Sequence, residues 1–200
     1  VIISPKETIK LFTDKWLTYN AFREAGLPSP KTSRKKKYSL VKPRKGRGSK
    51  GIKITDNDLV NMDGYVSQEI LEGQELTVDC LFDKEGIPIY IIPRMRLKII
   101  DGKSVDGKIV KNELVVSLIK KLAEKYHFIG PINIQCFINS DGVSFIEVNP
   151  RIGGGMALSW AASENWFDLW FKKITLGKSV VPKKIKYGLS MYRYYAEVFF

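Results

Sequence analysis

One histidine and two cysteines are all that this 200-residue chain offers of the residues that most often bind zinc or act in nucleophile–base pairs. His127, between a helical pattern and "FIGP", reads as structural, which argues against a Ser-His or Cys-His catalytic pair. Cys80 and Cys136 are too few for a disulfide framework or a zinc site. Both sit in apolar, strand-like runs, where a buried thiol is the ordinary expectation. A reducing compartment follows, and the expected location is cytoplasmic. No apolar run approaches the roughly 18 residues of a membrane span; the longest candidates, such as "IPIYIIP", are strand-sized. The first residues, "VIISPKETIK", lack the basic-then-apolar order of a signal peptide. They also lack an initiator Met, as a piece of a longer chain would.

Acidic residues are outnumbered. The 33 Lys and Arg against 21 Asp and Glu give a net charge of +12, which attracts nucleic acid, an anionic surface or a polyphosphate. Most lysines are scattered over expected helix surfaces. Only "SRKKK" (Ser33 to Lys37) and the adjoining "KPRKGRGSKGIK" form dense clusters. A hydrophobic content of 44% belongs to a folded chain.

The order of elements predicts an α+β fold. Ser4, Pro5 and Glu7 read as a capping-box start for a short helix. A second helix is expected over about 14–25, with Leu17, Ala21, Phe22 and Ala25 on one side and Gly26 as its stop. Strands follow at "YSLVKP", "GIKI", "YVSQEI", "ELTVDCLF", "IPIYIIP" and "RMRLKII", joined as antiparallel hairpins. A helix over about 111–126 carries Leu114, Leu118 and Leu122 at a spacing of four. After the hairpin "INIQCFI…VSFIEVN", a helix is expected over about 157–176, broken near "SENW". "RYYAEVFF" reads as a closing strand.

Two stretches carry chemistry. In "VKPRKGRGSKGIKI", Gly46, Gly48 and Gly51 spell the dinucleotide fingerprint, but a β-branched strand follows where that fingerprint requires a helix. Strand, glycine turn and strand make a hairpin flap instead, able to lay backbone N–H groups over phosphates, with Lys42 on the strand as a point charge. The other reading is a flexible basic hairpin without a ligand. In the second stretch, Glu147 and Asn149 leave the same face of a strand. A three-residue loop, Ser140-Asp141-Gly142, would set Gln135 opposite Glu147 and Asn133 opposite Asn149. One carboxylate with amides suits Mg²⁺ beside substrate phosphates, and Arg151 in "NPR" could stabilise a phosphoryl group in transfer. A solvated polar face is the alternative.

Together these pieces resemble the ATP-grasp superfamily, in particular the ATP-binding domain of the carbamoyl-phosphate synthase large chain and its uncharacterised relatives. "TDKWLTYNAFREAGLPSPKT" resembles the leading helix, "YSLVKPRKGRGSKGI" the phosphate-covering flap, "QEILEGQELTVDC" the adenine hinge and "NIQCFI…FIEVNPR" the metal strands. The resemblance implies leading helices and linker over 1–30, a small lobe over 31–72 and a large lobe over 73–200. It implies ATP and Mg²⁺, for which Mn²⁺ could substitute. Lys15 and Lys42 would meet phosphates, with Gly46, Gly48, Ser49 and Gly51 closing over them. Glu69 and Leu71 would meet the adenine edge through their backbones, and Glu75 the ribose. Gln135, Glu147 and Asn149 would carry the metal, and Arg151 would steady the transferred phosphate.

The implied activity is that of a ligase: a carboxylate becomes an acyl phosphate, which an amine then attacks. The implied partners are a small acid and a small amine, no membrane, a preceding domain outside this chain, and a second copy of the chain as a homodimer. Arg94, Arg96 and Lys98 in "PRMRLK" read either as binders of the acid or as a basic solvent face. Two rivals stand beside this reading: an ATP-binding regulatory domain without turnover, and a basic nucleic-acid-binding module. The second predicts aromatics interleaved with the cations, and "SRKKKYSLVKPRKGRGSKG" offers only Tyr38.

Overall fold

Aspartate caps the helix on which the site is anchored. Asp14 accepts hydrogen bonds from the backbone N–H groups of Trp16 (2.9 Å) and Leu17 (3.3 Å), satisfying two orphan donors at the start of α2 (Lys15–Glu24). In the computed structural model, residues 3–46, 48, 50–100, 103–194 and 196–200 are described, the side chains of 103, 173 and 174 excepted. Ahead of α2 lies α1 (Lys6–Phe12), whose N-cap is Pro5 with no side-chain cap. Ser4 is therefore not the expected capping residue. Its buried hydroxyl is spent on Ile129, accepting from the amide N–H and donating to the carbonyl, and so ties the start of the chain to the large sheet.

Two antiparallel sheets follow. The four-stranded sheet has the order β1 (Thr32–Ser33), β4 (Tyr65–Gln68), β2 (Leu40–Pro43), β3 (Lys53–Ile54). The six-stranded sheet has the order β10 (Ser190–Tyr192), β7 (Lys103–Ile109), β6 (Pro88–Ile100), β5 (Gln74–Phe82), β8 (Gly130–Asn139), β9 (Gly142–Asn149). "IPIYIIP" and "RMRLKII" are thus one strand. Pro93 lacks an N–H, but its carbonyl still accepts from Val110 at 3.0 Å.

The period of two along β5 explains where the core ends and the site begins. Leu76, Val78, Cys80 and Phe82 pack into one hydrophobic cluster with Phe12 and Phe22 of the first two helices and with Val115, Ile119 and Leu122 of α3 (Glu113–Lys125). The alternate residues Glu75, Thr77 and Asp79 face the other way. Further along that face, Leu81 joins a second cluster with Ile92, Ile109, Leu158 and Trp166. The buried stripe of α3 is Val115, Ile119 and Leu122, whereas Leu114 is 53% exposed. Leucines every four residues drift around a helix of 3.6 residues per turn, and the i, i+4, i+7 set wins the core. Leu17 is likewise 40% exposed, while Ala21, Phe22 and Ala25 are buried.

The C-terminal region breaks into α4 (Ala157–Ala162), α5 (Trp166–Leu169) and a π-helical turn over Trp170–Thr175, with the expected interruption at 163–165. Beyond β10, Arg193 N still bonds Val105 O at 2.8 Å, but the described residues that follow form no strand, and Val198, Phe199 and Phe200 are exposed. Apolar sequence alone does not make a strand without a neighbour to complete its ladder. Among the described residues, no helix is long and apolar enough to cross a membrane.

The β8–β9 hairpin differs from expectation in its turn and agrees in its pairing. Asn139 pairs with Gly142, so the loop has two residues and not three. That register would set Gln135 opposite Ile146. A bulge between Gln135 and Cys136 admits one extra residue on β9, and from there Gln135 pairs with Glu147 and Asn133 with Asn149. The core reports the same shift: Val143 and Phe145 are two apart, but the next buried residue is Val148.

Candidate functional site

A cavity of about 630 Å³ is lined from both sheets and the segments beside them. Lys42, Pro43, Gly46, Gly48, Lys50 and Ile52 come from β2 and the flap. Glu75, Thr77, Arg94, Arg96, Asn133, Gln135, Phe137, Ile146, Glu147 and Asn149 come from the large sheet, and Lys15 from the first turn of α2. Arg151 and Gly153 to Gly155 complete the wall. Among the described residues, six cationic side chains face two carboxylates, a balance that suits a polyanion.

The flap is rooted on α2. Arg44 donates to both oxygens of Asp14, at 3.2 and 2.7 Å, and its carbonyl accepts from Lys15 N at 2.9 Å. Burial alone would raise the Asp14 carboxyl, but the bond from Arg44 and the backbone N–H groups outweigh it and hold it below its usual value. Lys15 Nζ donates to the carbonyl of Gly46 at 3.3 Å and lies 3.9 Å from Glu147 Oε1. One ammonium therefore spans the flap and the carboxylate strand.

Lys42 is buried to 6% exposure and donates to Gln68 Oε1 at 2.6 Å; Gln68 in turn donates to Thr32 Oγ1 at 2.7 Å. Burial pulls the Lys42 ammonium down to about 8, with Glu147 opposing the fall and Lys15 adding to it. Gln68 was not identifiable as a site residue in the sequence. Its place directly after a β-branched and a small residue on a strand is no signal of a lysine on the neighbouring strand.

Glu147 holds the centre of the opposite wall. With its amide oriented to satisfy both neighbours, Gln135 donates to Glu147 Oε2 at 3.0 Å and accepts from Arg96 Nη1 at 3.3 Å. Arg96 also pairs with Glu75, so the residue expected at the ribose is engaged by a guanidinium. Asn149 Oδ1 accepts from Arg151 Nη2 at 3.3 Å. Among the described residues no cluster of three or more His, Cys, Asp or Glu exists. The Gln135 and Asn149 oxygens accept from Arg96 and Arg151, so this set of one carboxylate and two amides fits a hard cation only where the ligand brings further oxygens, and the cationic cavity suits phosphates.

Several expected residues stand apart. Ser49 lies outside the described residues. Gly51 does not line the cavity. Glu69 and Leu71 line a separate opening of about 680 Å³ with Lys36, Lys37 and Tyr38. The Glu69 side chain and backbone N–H are both spent on Lys31, whose amide donates to Glu69 Oε2 at 2.8 Å and whose carbonyl accepts from Glu69 N at 3.0 Å. Lys98 is exposed. Gly73, between these residues and β5, has φ +120° and a Cβ there would fall 2.3 Å from Ile138 O, so only glycine fits at this crossing. Phe137 and Ile146, half-buried apolar residues in an otherwise polar wall, were missed. Phe137 follows Gln135 by two and could have been found by strand period; Ile146 shares the face of Gln135 by the hairpin register, and the bulge adds Glu147 to that face.

Residues 12–155 match the family described as the ATP-grasp domain. The tyramine–L-glutamate ligase of Methanocaldococcus jannaschii is 30% identical over 152 residues, which are 73% of this chain and 45% of that protein. The biotin carboxylase domain of Hydrogenobacter thermophilus 2-oxoglutarate carboxylase, solved with MgADP, ADP and bicarbonate, superposes with a TM-score of 0.73 at 17% identity, over 94% of this chain and 51% of that one. The N5-carboxyaminoimidazole synthetase of Staphylococcus aureus, solved with ADP, gives 0.73 at 18% identity, over 92% and 57%. The chain thus spans about half the length of the relatives it matches. With a matching family over most of its length and that family's fold around the cavity, the chain belongs to the ATP-grasp family.

Proposed function

We propose that the chain is the nucleotide-binding part of an ATP-dependent ligase that activates a carboxylate as an acyl phosphate for attack by an amine. The observation that carries this reading is Lys15, which touches the flap at Gly46 and the carboxylate strand at Glu147 across one cationic cavity. In this reading Lys15, Lys42 and the flap backbone hold the phosphates. Phe137 and Ile146 give the purine an apolar wall, with Glu69 and Leu71 as the hinge and Glu75 near the ribose. Glu147, Asn149 and Gln135 would hold Mg²⁺ or Mn²⁺, which when bound neutralises phosphate charge.

The chemistry asked of the chain is positioning and charge stabilisation, not a protein nucleophile. A carboxylate oxygen attacks the γ-phosphorus, the bond to the β–γ bridging oxygen breaks, and ADP leaves. Arg151 steadies the transferred group. The amine then attacks the acyl carbon and phosphate departs. The sequence resembles the carbamoyl-phosphate synthase large chain, while the relative from M. jannaschii is named for joining tyramine to L-glutamate. Carboxylate–amine ligation covers both.

The test is thermal stabilisation by MgATP of the wild type, Glu147→Ala and Lys42→Ala. The wild type is expected to be stabilised and both variants to lose most of the effect. No stabilisation of the wild type overturns the reading. ADP formation with L-glutamate and tyramine, against other acids and amines, then tests turnover; MgATP binding without ADP formation on any pair would favour a regulatory role.

A further inference from the structure

Three basic residues alternate along β6, and the structure separates them. Arg96 is committed to Glu75 and Gln135, and Lys98 is exposed. Arg94 is different. It is buried to 3% exposure, yet it lines the cavity. Its Nε donates to Asp79 Oδ2 at 2.8 Å and its Nη2 lies 3.5 Å from Asp79 Oδ1. Asp79, fully buried, also accepts from Asn133 Nδ2 at 2.8 Å and from Ser159 Oγ at 2.7 Å. The carboxylate is thus shared among donors from three elements, and it fixes one edge of the guanidinium. The other edge is unspent: Arg94 Nη1 is buried with no hydrogen-bond partner among the described residues. A buried donor left unmade costs free energy, and such groups are rare enough to call for a cause.

What covers that edge is a loop without side chains. A Cβ at Gly155 would fall 2.7 Å from Arg94 Cζ, Nη1 and Nη2, so the guanidinium lies directly against the Gly155 backbone. Gly154 is exposed, and a Cβ there would meet nothing within 4 Å. Its carbonyl accepts a hydrogen bond from Arg193. Gly153 O and Gly155 O accept from Met156 N at 3.1 Å and Leu158 N at 3.2 Å, which ties the loop to the start of α4, and a shift of its backbone at Gly154 and Gly155 would uncover Arg94 Nη1 to the cavity that these residues line.

Resting on the proposed function, we infer that Arg94 Nη1 binds a carboxylate oxygen of the acid substrate, with Asp79, Asn133 and Ser159 as positioning residues that hold the guanidinium for it. Arginine suits the task because its planar fork can bind one carboxylate along one edge and offer the other edge to a second. Because Asp79 already neutralises Arg94, the site supplies a directed donor with little added charge.

The experiment measures binding without turnover. ¹³C-labelled L-glutamate, acetate and bicarbonate are titrated by NMR into the chain saturated with MgADP, as wild type, Arg94→Lys, Gly155→Ala and Arg151→Lys. At least one acid is expected to bind the wild type. Its dissociation constant should rise tenfold or more in Arg94→Lys, which keeps the charge and loses the fork. MgADP affinity should stay within twofold. Should Arg94→Lys fail to fold, Gly155→Ala, which presses a methyl group onto the guanidinium, is expected to give the same selective loss. Failure of all three acids to bind the MgADP-loaded wild type overturns the inference, as does a loss confined to Arg151→Lys. Failure of MgADP itself to bind overturns the nucleotide reading beneath it, and the two failures are told apart by the MgADP titration alone.

Discussion

Gln135 stands opposite Glu147 only because Ile146 is an extra residue in its strand. The two-residue turn sets one register, the bulge sets another, and the second puts Glu147 and Asn149 on the cavity wall. A bulge adds a residue without turning over those beyond it, so removing Ile146 restores a regular ladder and leaves Glu147 opposite Gln135. Deletion of Ile146 is therefore expected to keep most of the stabilisation by MgATP, whereas Glu147→Ala should lose it. A thermal shift comparison of the two variants checks this; loss of the effect on deletion would show that the bulge itself shapes the site.

The lowered ammonium of Lys42 gives nucleotide affinity a pH dependence of known sign. The folded value is about 8 and the ordinary one 10.5, so between these the unfolded chain holds a proton that the folded chain lacks. Stability from this group therefore rises with pH through that window, as the cost of burying its charge is relieved. Phosphates draw the proton back. MgATP affinity should fall above pH 8, approaching about tenfold per pH unit, with proton uptake on binding. Calorimetry in buffers of different ionisation enthalpy measures both; Lys42→Arg, always charged, should show no such slope whatever its absolute affinity.

Gln68 is the buried acceptor that orients Lys42. Gln68→Leu keeps the volume and removes the oxygen, leaving an ammonium without its partner, at a cost of about 1–3 kcal/mol. Urea unfolding should show that loss, and MgATP should bind about tenfold more weakly because the lysine is no longer held across the cavity. Unchanged stability and affinity would remove Gln68 from the site.

Asp79 and Arg94 are a buried pair whose separation is costly. Asp79→Ala strands the guanidinium and two further donors, and is expected to lower stability by about 3–5 kcal/mol. The double variant Asp79→Leu with Arg94→Met should recover a large part of it, because paired apolar replacement leaves no buried charge. Denaturant midpoints of the two variants test the contrast.

The thiols should be silent. Burial pushes Cys80 well above its usual value and Cys136 up to about 12, with Asp79 and Glu75 adding to the respective shifts. Neither should react with a thiol reagent at pH 8 in the folded chain, and both should react once it is unfolded. Fast labelling of either in the native state would contradict the core described for β5 and β8.

Much of the fold lay open in the chain's local pattern. The second helix, the strand "ELTVDCLF" and the strand after the glycines are governed by neighbours within a few residues, and each appears close to where the pattern puts it. Pairing came out right for Gln135 and Glu147, though through a bulge that no residue of "VSFIEVN" announces. Which leucines of α3 would be buried, whether "RYYAEVFF" would find a strand to pair with, and whether Ser4 would cap a helix or bond Ile129 all depended on segments far away in sequence.

The site divides in the same way. The place of Lys42, Glu147, Asn149, Gly46 and Gly48 on the cavity wall was legible because backbone approach and side-chain parity are local properties. Gln68, Ile146 and the spare edge of Arg94 were not, because each takes its meaning from a partner on another strand; Phe137 lay within reach of the strand period. The chain's own order thus determined the composition of the two strands and the flap that face one another. Only the tertiary structure decided which oxygen meets Lys42, which guanidinium is spent and which is left with an open N–H, since hydrogen bonds between distant elements are settled by register and packing together.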